Sequence, residues 1–215
     1  MRTRGPLITL GAVAALAAAL WLGNASQEPA PAAAPATESA TTPSAPAPAT
    51  APQPPATGFP ARADYVGTVP TAIGPITLEI SVDGDQAIAY ACDGDSVEMW
   101  LRGDATDGVV NLTSRDKTGV LDGHLDGDAV MGLLTIGEKS WVFTAPAAEA
   151  PAGLFVYERD GVRSSWIVDE DGDVTGVLRR NDGSIGPAPV LATDGTAVID
   201  GQRVRAVRVG GGSDV

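Results

Sequence analysis

The sequence predicts an all-β protein: an antiparallel meander that closes into a small barrel or folds into a two-layer sandwich, preceded by a hydrophobic helix and a disordered spacer. Three observations predict it. Apolar and polar residues alternate with a period of two from Asp64 onward, the mark of strands with one covered face. Asp-Gly steps start at Asp83, Asp93, Asp107, Asp122, Asp126, Asp160, Asp171, Asp182, Asp194 and Asp200. Between alternating runs, Asp-Gly is a strong hairpin signal, because a type I′ turn needs positive φ at both central residues. Finally, the first sixty residues carry an apolar run and then a Pro/Ala/Thr-rich stretch with almost nothing large to bury.

Arg2 and Arg4 precede an apolar run over residues 7–22. That is longer than the usual core of a cleaved signal peptide and shorter than the roughly 20 residues of an ordinary membrane span. The arginines place the N-terminus inside by the positive-inside rule, and Trp21 suits an interfacial anchor. Residues 1–25 therefore read as a signal anchor, or as a signal peptide cleaved after Ala25. The protein is expected to be exported: membrane-anchored by a single pass with its C-terminal domain outside the cytoplasm, or secreted. Residues 26–60 read as a disordered spacer, because proline removes backbone donors and nothing offsets the entropy of ordering. As polyproline II, at about 3.1 Å per residue, the spacer reaches on the order of 100 Å.

Residues 61–210 read as the folded domain. Ile76, Leu78, Ile80 and Val82 alternate with Thr77, Glu79 and Ser81, and Val97, Met99 and Leu101 with Glu98, Trp100 and Arg102. Val130, Gly132, Leu134 and Ile136 share a face, as do Trp141 and Phe143. About eight short strands fit between Asp64 and Thr144. Asp122-Gly123 and Asp126-Gly127 stand too close together to flank a full strand, so one of them lies within or at the edge of a strand. The proline-bounded segment 146–151 reads as a connector, with a possible sub-boundary near 145–152. Five or six more strands follow to Val209, extending the first sheet or forming a second lobe. Residues 211–215 read as a flexible tail.

The formal charge is −13, and the four charges of the first sixty residues cancel, so the excess belongs to the folded part. Such a surface is repelled by phosphate backbones, which excludes nucleic acid as a partner. A single cysteine, Cys92, cannot form an internal disulfide. It reads as a buried, inert thiol at a strand end, or alternatively as an exposed thiol bridging two copies.

No motif singles out catalytic residues. His124 is the only histidine, and no nucleophile motif accompanies it. One histidine and one cysteine do not make a conventional zinc site. Asp169-Glu-Asp171-Gly-Asp173 has oxygen ligands spaced two apart and is a weak calcium candidate through Asp169, Asp171 and Asp173. Val174 and Arg180 stand where a calcium loop wants glycine and glutamate, and an acidic hairpin tip is the simpler reading. No cofactor is expected. Among the aromatics, Trp100, Tyr90 and Trp141 are the weak ligand-binding candidates. Trp100 is either an exposed binding anchor or core under a sheet covered on both faces. The locally basic run 202–208 reads as an edge strand guarded by charge.

The runs Ala87-Ile-Ala-Tyr-Ala-Cys-Asp-Gly94, Val97-Glu-Met-Trp-Leu-Arg-Gly103, Pro151-Ala-Gly-Leu154 and Ser165-Trp-Ile-Val168 with Gly176-Val-Leu178 resemble an uncharacterised exported or envelope β module of high-GC Gram-positive (actinobacterial) proteins. The resemblance spans roughly residues 65–209. It implies attachment through a Pro/Ala/Thr linker to a signal or anchor, and carries no assigned activity.

The expected function is a non-catalytic extracytoplasmic binding or structural module tethered to the cell envelope. Its partners are the membrane, through an uncleaved N-terminal helix, and an envelope protein or polymer. Two alternatives stay open: a carrier enclosing a small apolar ligand, and a secreted hydrolase using two carboxylates. A cavity lined by Tyr90, Met99, Met131 and Trp141 marks the carrier. Two close buried carboxylates in a cleft mark the hydrolase, and a filled interior with shallow grooves marks the first reading.

Overall fold

The computed structural model describes residues 58–213. The apolar run and most of the spacer lie outside the described residues. Among the described residues every regular element is a strand.

β1 (Arg62–Val69), β2 (Ile76–Asp83), β3 (Gln86–Cys92), β4 (Glu98–Thr106), β5 (Val109–Thr113), β6 (Gly119–Asp126), β7 (Ala129–Ile136) and β8 (Lys139–Ala148) form an antiparallel meander. It closes into a barrel, not a sandwich, where Asp64 and Tyr65 of β1 pair with Ala148 and Ala147 of β8. The barrel thus uses Pro146, Ala147 and Ala148, which the sequence pattern assigned to a connector. Ala147 and Ala148 supply the closing pairs, and Pro146 sits opposite Ala129 on β7.

The inside of the barrel is filled. Tyr65, Leu78, Ile80, Leu101, Leu112, Leu121 and Leu134 are at most 1 % exposed, and Ala87, Ala89 and Ala91 of β3 pack among them. Glycine sets how tightly the wall curls. A Cβ on Gly67, Gly103 or Gly132 would run into the backbone carbonyl of Thr144, Asn111 or Asp122 on the next strand. Glycine at such corners lets a small barrel bend without steric conflict.

The ten Asp-Gly steps divide by position. Asp107, Asp160 and Asp200 all have positive φ together with the glycine that follows, the signature of a two-residue type I′ hairpin. Where the aspartate is the last strand residue, as at Asp83 and Asp126, the following glycine takes the first turn position with positive φ. Asp122-Gly123 lies within β6.

β9 (Gly153–Arg159), β10 (Val162–Val168), β11 (Val174–Arg180), β12 (Ile185–Pro187) and β15 (Val207–Arg208) form a second sheet in the order β12-β11-β10-β9-β15. β13 (Thr196–Ile199) and β14 (Gln202–Arg205) pair as a hairpin. The second sheet lies on the outside of the barrel. Leu154, Val156, Ile167, Val177 and Val209 pack on Val66, Ile88, Tyr90 and Cys92, which point out of the barrel wall. On the sheet's other face Trp166, Val168, Leu191, Ala197 and Ile199 form a third cluster with the hairpin. The Trp166 indole N–H donates to the Pro189 carbonyl at 2.7 Å.

The packed domain continues past residue 210. Gly211 is buried, with room for a Cβ blocked by Ser81 and Asp83 backbone atoms, and Arg102 donates to the Ser213 carbonyl at 2.8 Å. Residues 211–213 therefore dock on the barrel; the rest of the predicted tail lies outside the described residues.

Candidate functional site

Of the concave features that border the barrel, two lie at its opposite ends. The loops after β1, β3 and β7 meet at one end and enclose an open cleft of about 490 Å³. Ile73, Ile76, Val97, Ile136 and Trp141 make it mainly apolar, with Asp93, Glu138 and Lys139 at its rim. Local bonds hold its walls. Thr71 Oγ1 donates to the Gly74 carbonyl at 2.5 Å and accepts from the Ile73 N–H at 3.3 Å, which props Ile73 out at 82 % exposure. Asp93 Oδ1 accepts from the N–H groups of Asp95, Ser96 and Val97 at 2.8–2.9 Å. Burial works to raise the Asp93 carboxyl, but the backbone donors outweigh it and hold it below its ordinary value. The cleft wall is thus pre-formed, as small-ligand sites usually are.

The second feature lies where the sheet meets the barrel, at the end through which Phe59 and Pro60 lead into β1. A cleft of about 520 Å³ is bordered by Arg62, Asp64, Asp83, Ala148, Arg208 and Val209. Arg208 Nη2 donates to Asp64 Oδ2 at 2.6 Å, in space kept by a glycine: a Cβ on Gly153 would stand 2.7 Å from that nitrogen. Behind Asp64, Ser81 Oγ lies 2.7 Å from Asp64 Oδ1 and 2.6 Å from Glu79 Oε1. Glu79 is fully buried, its Oε2 has no hydrogen-bond partner, and it does not border the cleft. Burial pushes its carboxyl well above its ordinary value; the Ser81 bond opposes this and the nearby Asp64 carboxylate adds to it.

At the far side of the seam Arg179 donates to Glu98 Oε2 at 2.6 Å, and Glu98 is only 2 % exposed through its side chain. Glu98 Oε1 accepts from the Trp100 indole at 3.2 Å and the Tyr90 hydroxyl at 3.4 Å. Tyr90 and Trp100 are in ring contact at 4.6 Å, and the Arg163 guanidinium stands 5.3 Å over Trp100.

The three aromatic candidates therefore separate. Tyr90 and Trp100 belong to the seam: Tyr90 is fully buried and Trp100 is partly buried under the second sheet. Trp141 alone reaches the open apolar cleft. Met99 fills the barrel beside Gly119, and Met131 lies on the outer face opposite Thr144 and His124. The four residues thus do not surround one cavity. Cys92 is buried, and burial pushes its thiol up to about 12. His124 is exposed. Asp169 Oδ1 accepts from the Asp171 and Asp173 N–H groups at 3.0 and 2.8 Å, so the acidic tip is an aspartate-capped turn. Among the described residues no group of three His, Cys, Asp or Glu side chains is placed to hold a metal ion.

Sequence reasoning missed Glu79, Ser81, Asp64 and Arg208 as a set. Their one signal is β3: Ala87 to Cys92 is apolar on both faces, which a barrel strand needs only where something covers its outside. Comparison with protein-family models, curated proteins and solved structures found no match to this chain.

Proposed function

We propose that this chain is a non-catalytic binding module of the cell envelope, held outside the cytoplasm by its N-terminal segment, and that it binds through the apolar cleft at the barrel end. The resemblance to exported actinobacterial modules, and Arg2 and Arg4 ahead of the apolar run over residues 7–22, support the location. The single observation that carries the binding site is Ile73. A bulky aliphatic side chain is held 82 % exposed by its own loop, beside Ile76, Ile136 and Trp141 and at the barrel end opposite Phe59. Burying such a side chain against a partner contributes about 1.5–3 kcal/mol, and an apolar group presented by an envelope protein or polymer suits the cleft.

The carrier reading is not favoured, because side chains occupy the barrel interior. The hydrolase reading has one observation behind it, the approach of Asp64 and Glu79 through Ser81. Glu79 is sealed from the cleft that Asp64 borders, so a substrate in that cleft meets one carboxylate of the two.

Ile73→Glu tests the proposal. Ile73 is already in water, so the fold should be kept while the full chain's binding to intact envelope drops at least about tenfold, the equivalent of roughly 1.4 kcal/mol. Undiminished binding by the variant would remove the cleft from consideration.

A further inference from the structure

Ser81 Oγ carries one proton and touches two carboxyl groups, Glu79 at 2.6 Å and Asp64 at 2.7 Å. Both contacts have the length of a hydrogen bond between oxygens. A hydroxyl proton serves one of them; the other needs a proton from a carboxyl group. Asp64 faces the Arg208 guanidinium and borders water. Glu79 is dry, and its outer oxygen has no donor. A buried carboxylate without donors is costly, whereas an acid carbonyl in the same place is far less so. The proton therefore belongs to Glu79, and the bonds run in one direction: Glu79 donates to Ser81, Ser81 donates to Asp64, and Arg208 donates to Asp64.

This chain of bonds ends on the C-terminal segment. Arg208 lies in β15, the Val209 N–H donates to the Leu154 carbonyl at 2.9 Å, and the Val209 carbonyl lies 3.4 Å from Ser81 Oγ. Gly211 then packs on the backbone of Ser81 and Asp83.

We infer that Glu79 is carried as a neutral acid and that Glu79, Ser81, Asp64 and Arg208 form a proton-dependent clasp holding the C-terminal segment, residues 207–213, onto the barrel. Losing the Glu79 proton leaves two carboxylates around one hydroxyl and one arginine, so Ser81 can satisfy only one of them. The other groups near Glu79 do not supply a replacement proton at neutral pH. On β3 its register partner is Tyr90, whose phenol burial pushes well up. On β9, β10 and β11 the charged side chains facing the barrel are engaged at the far side, Glu158 with Arg163 and Arg179 with Glu98. Arg62 and Asp83 pair with each other in the cleft.

The sign follows from the direction of the shift. Above the ordinary glutamate range and up to the raised folded value, the folded chain holds a proton that the unfolded chain has released. Stability from this group is therefore full at acid pH and falls as pH rises through that window.

The test compares wild type with Glu79→Gln, whose amide donates to Ser81 at every pH, in the full chain. Between about pH 5 and pH 8, the exchange protection of the Val209 amide should fall at least about tenfold in wild type and less than about twofold in the variant. A flat wild-type profile, an equal fall in both, or a variant unprotected already at acid pH would each overturn the clasp. A second measurement needs no variant. The infrared carbonyl band of a protonated carboxylic acid should persist in wild type above the ordinary glutamate range, and its absence would also overturn the assignment.

Discussion

Leu78, Ile80 and Val82 face the inside of the barrel, while Glu79 and Ser81, one residue out of step on the same strand, face the seam beneath the second sheet. Both sets are equally dry. The interior is assembled from aliphatic and aromatic side chains and glycine, with no charged group among them, and its shape is fixed by volume. The seam mixes Val66, Ile88 and Cys92 with Glu79, Tyr90 and three arginine–carboxylate pairs, one of them through Glu98. Its fit depends on protons and charges as well as volume. The difference teaches that one β-strand can serve a rigid region on one face and a chemically adjustable one on the other.

Three substitutions sharpen or break that contrast. The largest effect is expected inside. Leu78→Ala removes a fully buried side chain and should cost about 2–5 kcal/mol in urea unfolding, with little dependence on pH. Next comes Arg179→Met at the seam, which strips the cation from a Glu98 side chain that is 2 % exposed. Arg179 is itself 42 % exposed, so water takes up part of the loss, and a cost of about 1–3 kcal/mol is expected by the same measurement. A cost matching Leu78→Ala would mean that the seam is as unforgiving as the core. The smallest effect belongs to the acidic tip, remote from both. Asp169→Ala loses two backbone bonds at an exposed turn and should cost about 1 kcal/mol or less. Calcium should leave the melting temperature of wild type and variant unchanged, because the carboxylates of the tip are not grouped so as to hold a metal ion. A calcium-dependent rise in wild type alone would restore the tip as a cation site.

Much of the barrel was legible from the alternation alone. The inward sets on β2, β4, β7 and β8 are the apolar sets of the pattern, and Asp-Gly steps mark strand reversals at Asp107, Asp160 and Asp200. The same dipeptide inside β6 shows the limit of the signal: an Asp-Gly step turns the chain only where the flanking residues release it from pairing. Closure through Ala147 and Ala148 was hidden, because alanine and proline in a row resemble a linker until a partner strand is known. The seam was harder. Thr77, Glu79 and Ser81 look solvent-facing on any periodicity argument, and only a sheet folded back from some ninety residues further along the chain makes that face dry. Trp141 was legible as a candidate. Ile73 was not, since nothing in Thr71-Ala-Ile-Gly74 reveals that a threonine hydroxyl props the loop open.

The place of β15 has one more consequence. It pairs with β9, through Val207 with Val156 and Arg208 with Phe155. For a polypeptide that emerges amino-terminus first, β1 to β8 can zip up hairpin by hairpin and shut once Ala148 appears. The outer flank of β9 must wait, unpaired, until Val207 and Arg208 have been made. Assembly is therefore ordered by topology, with the barrel serving as the template and β15 as the closing stitch.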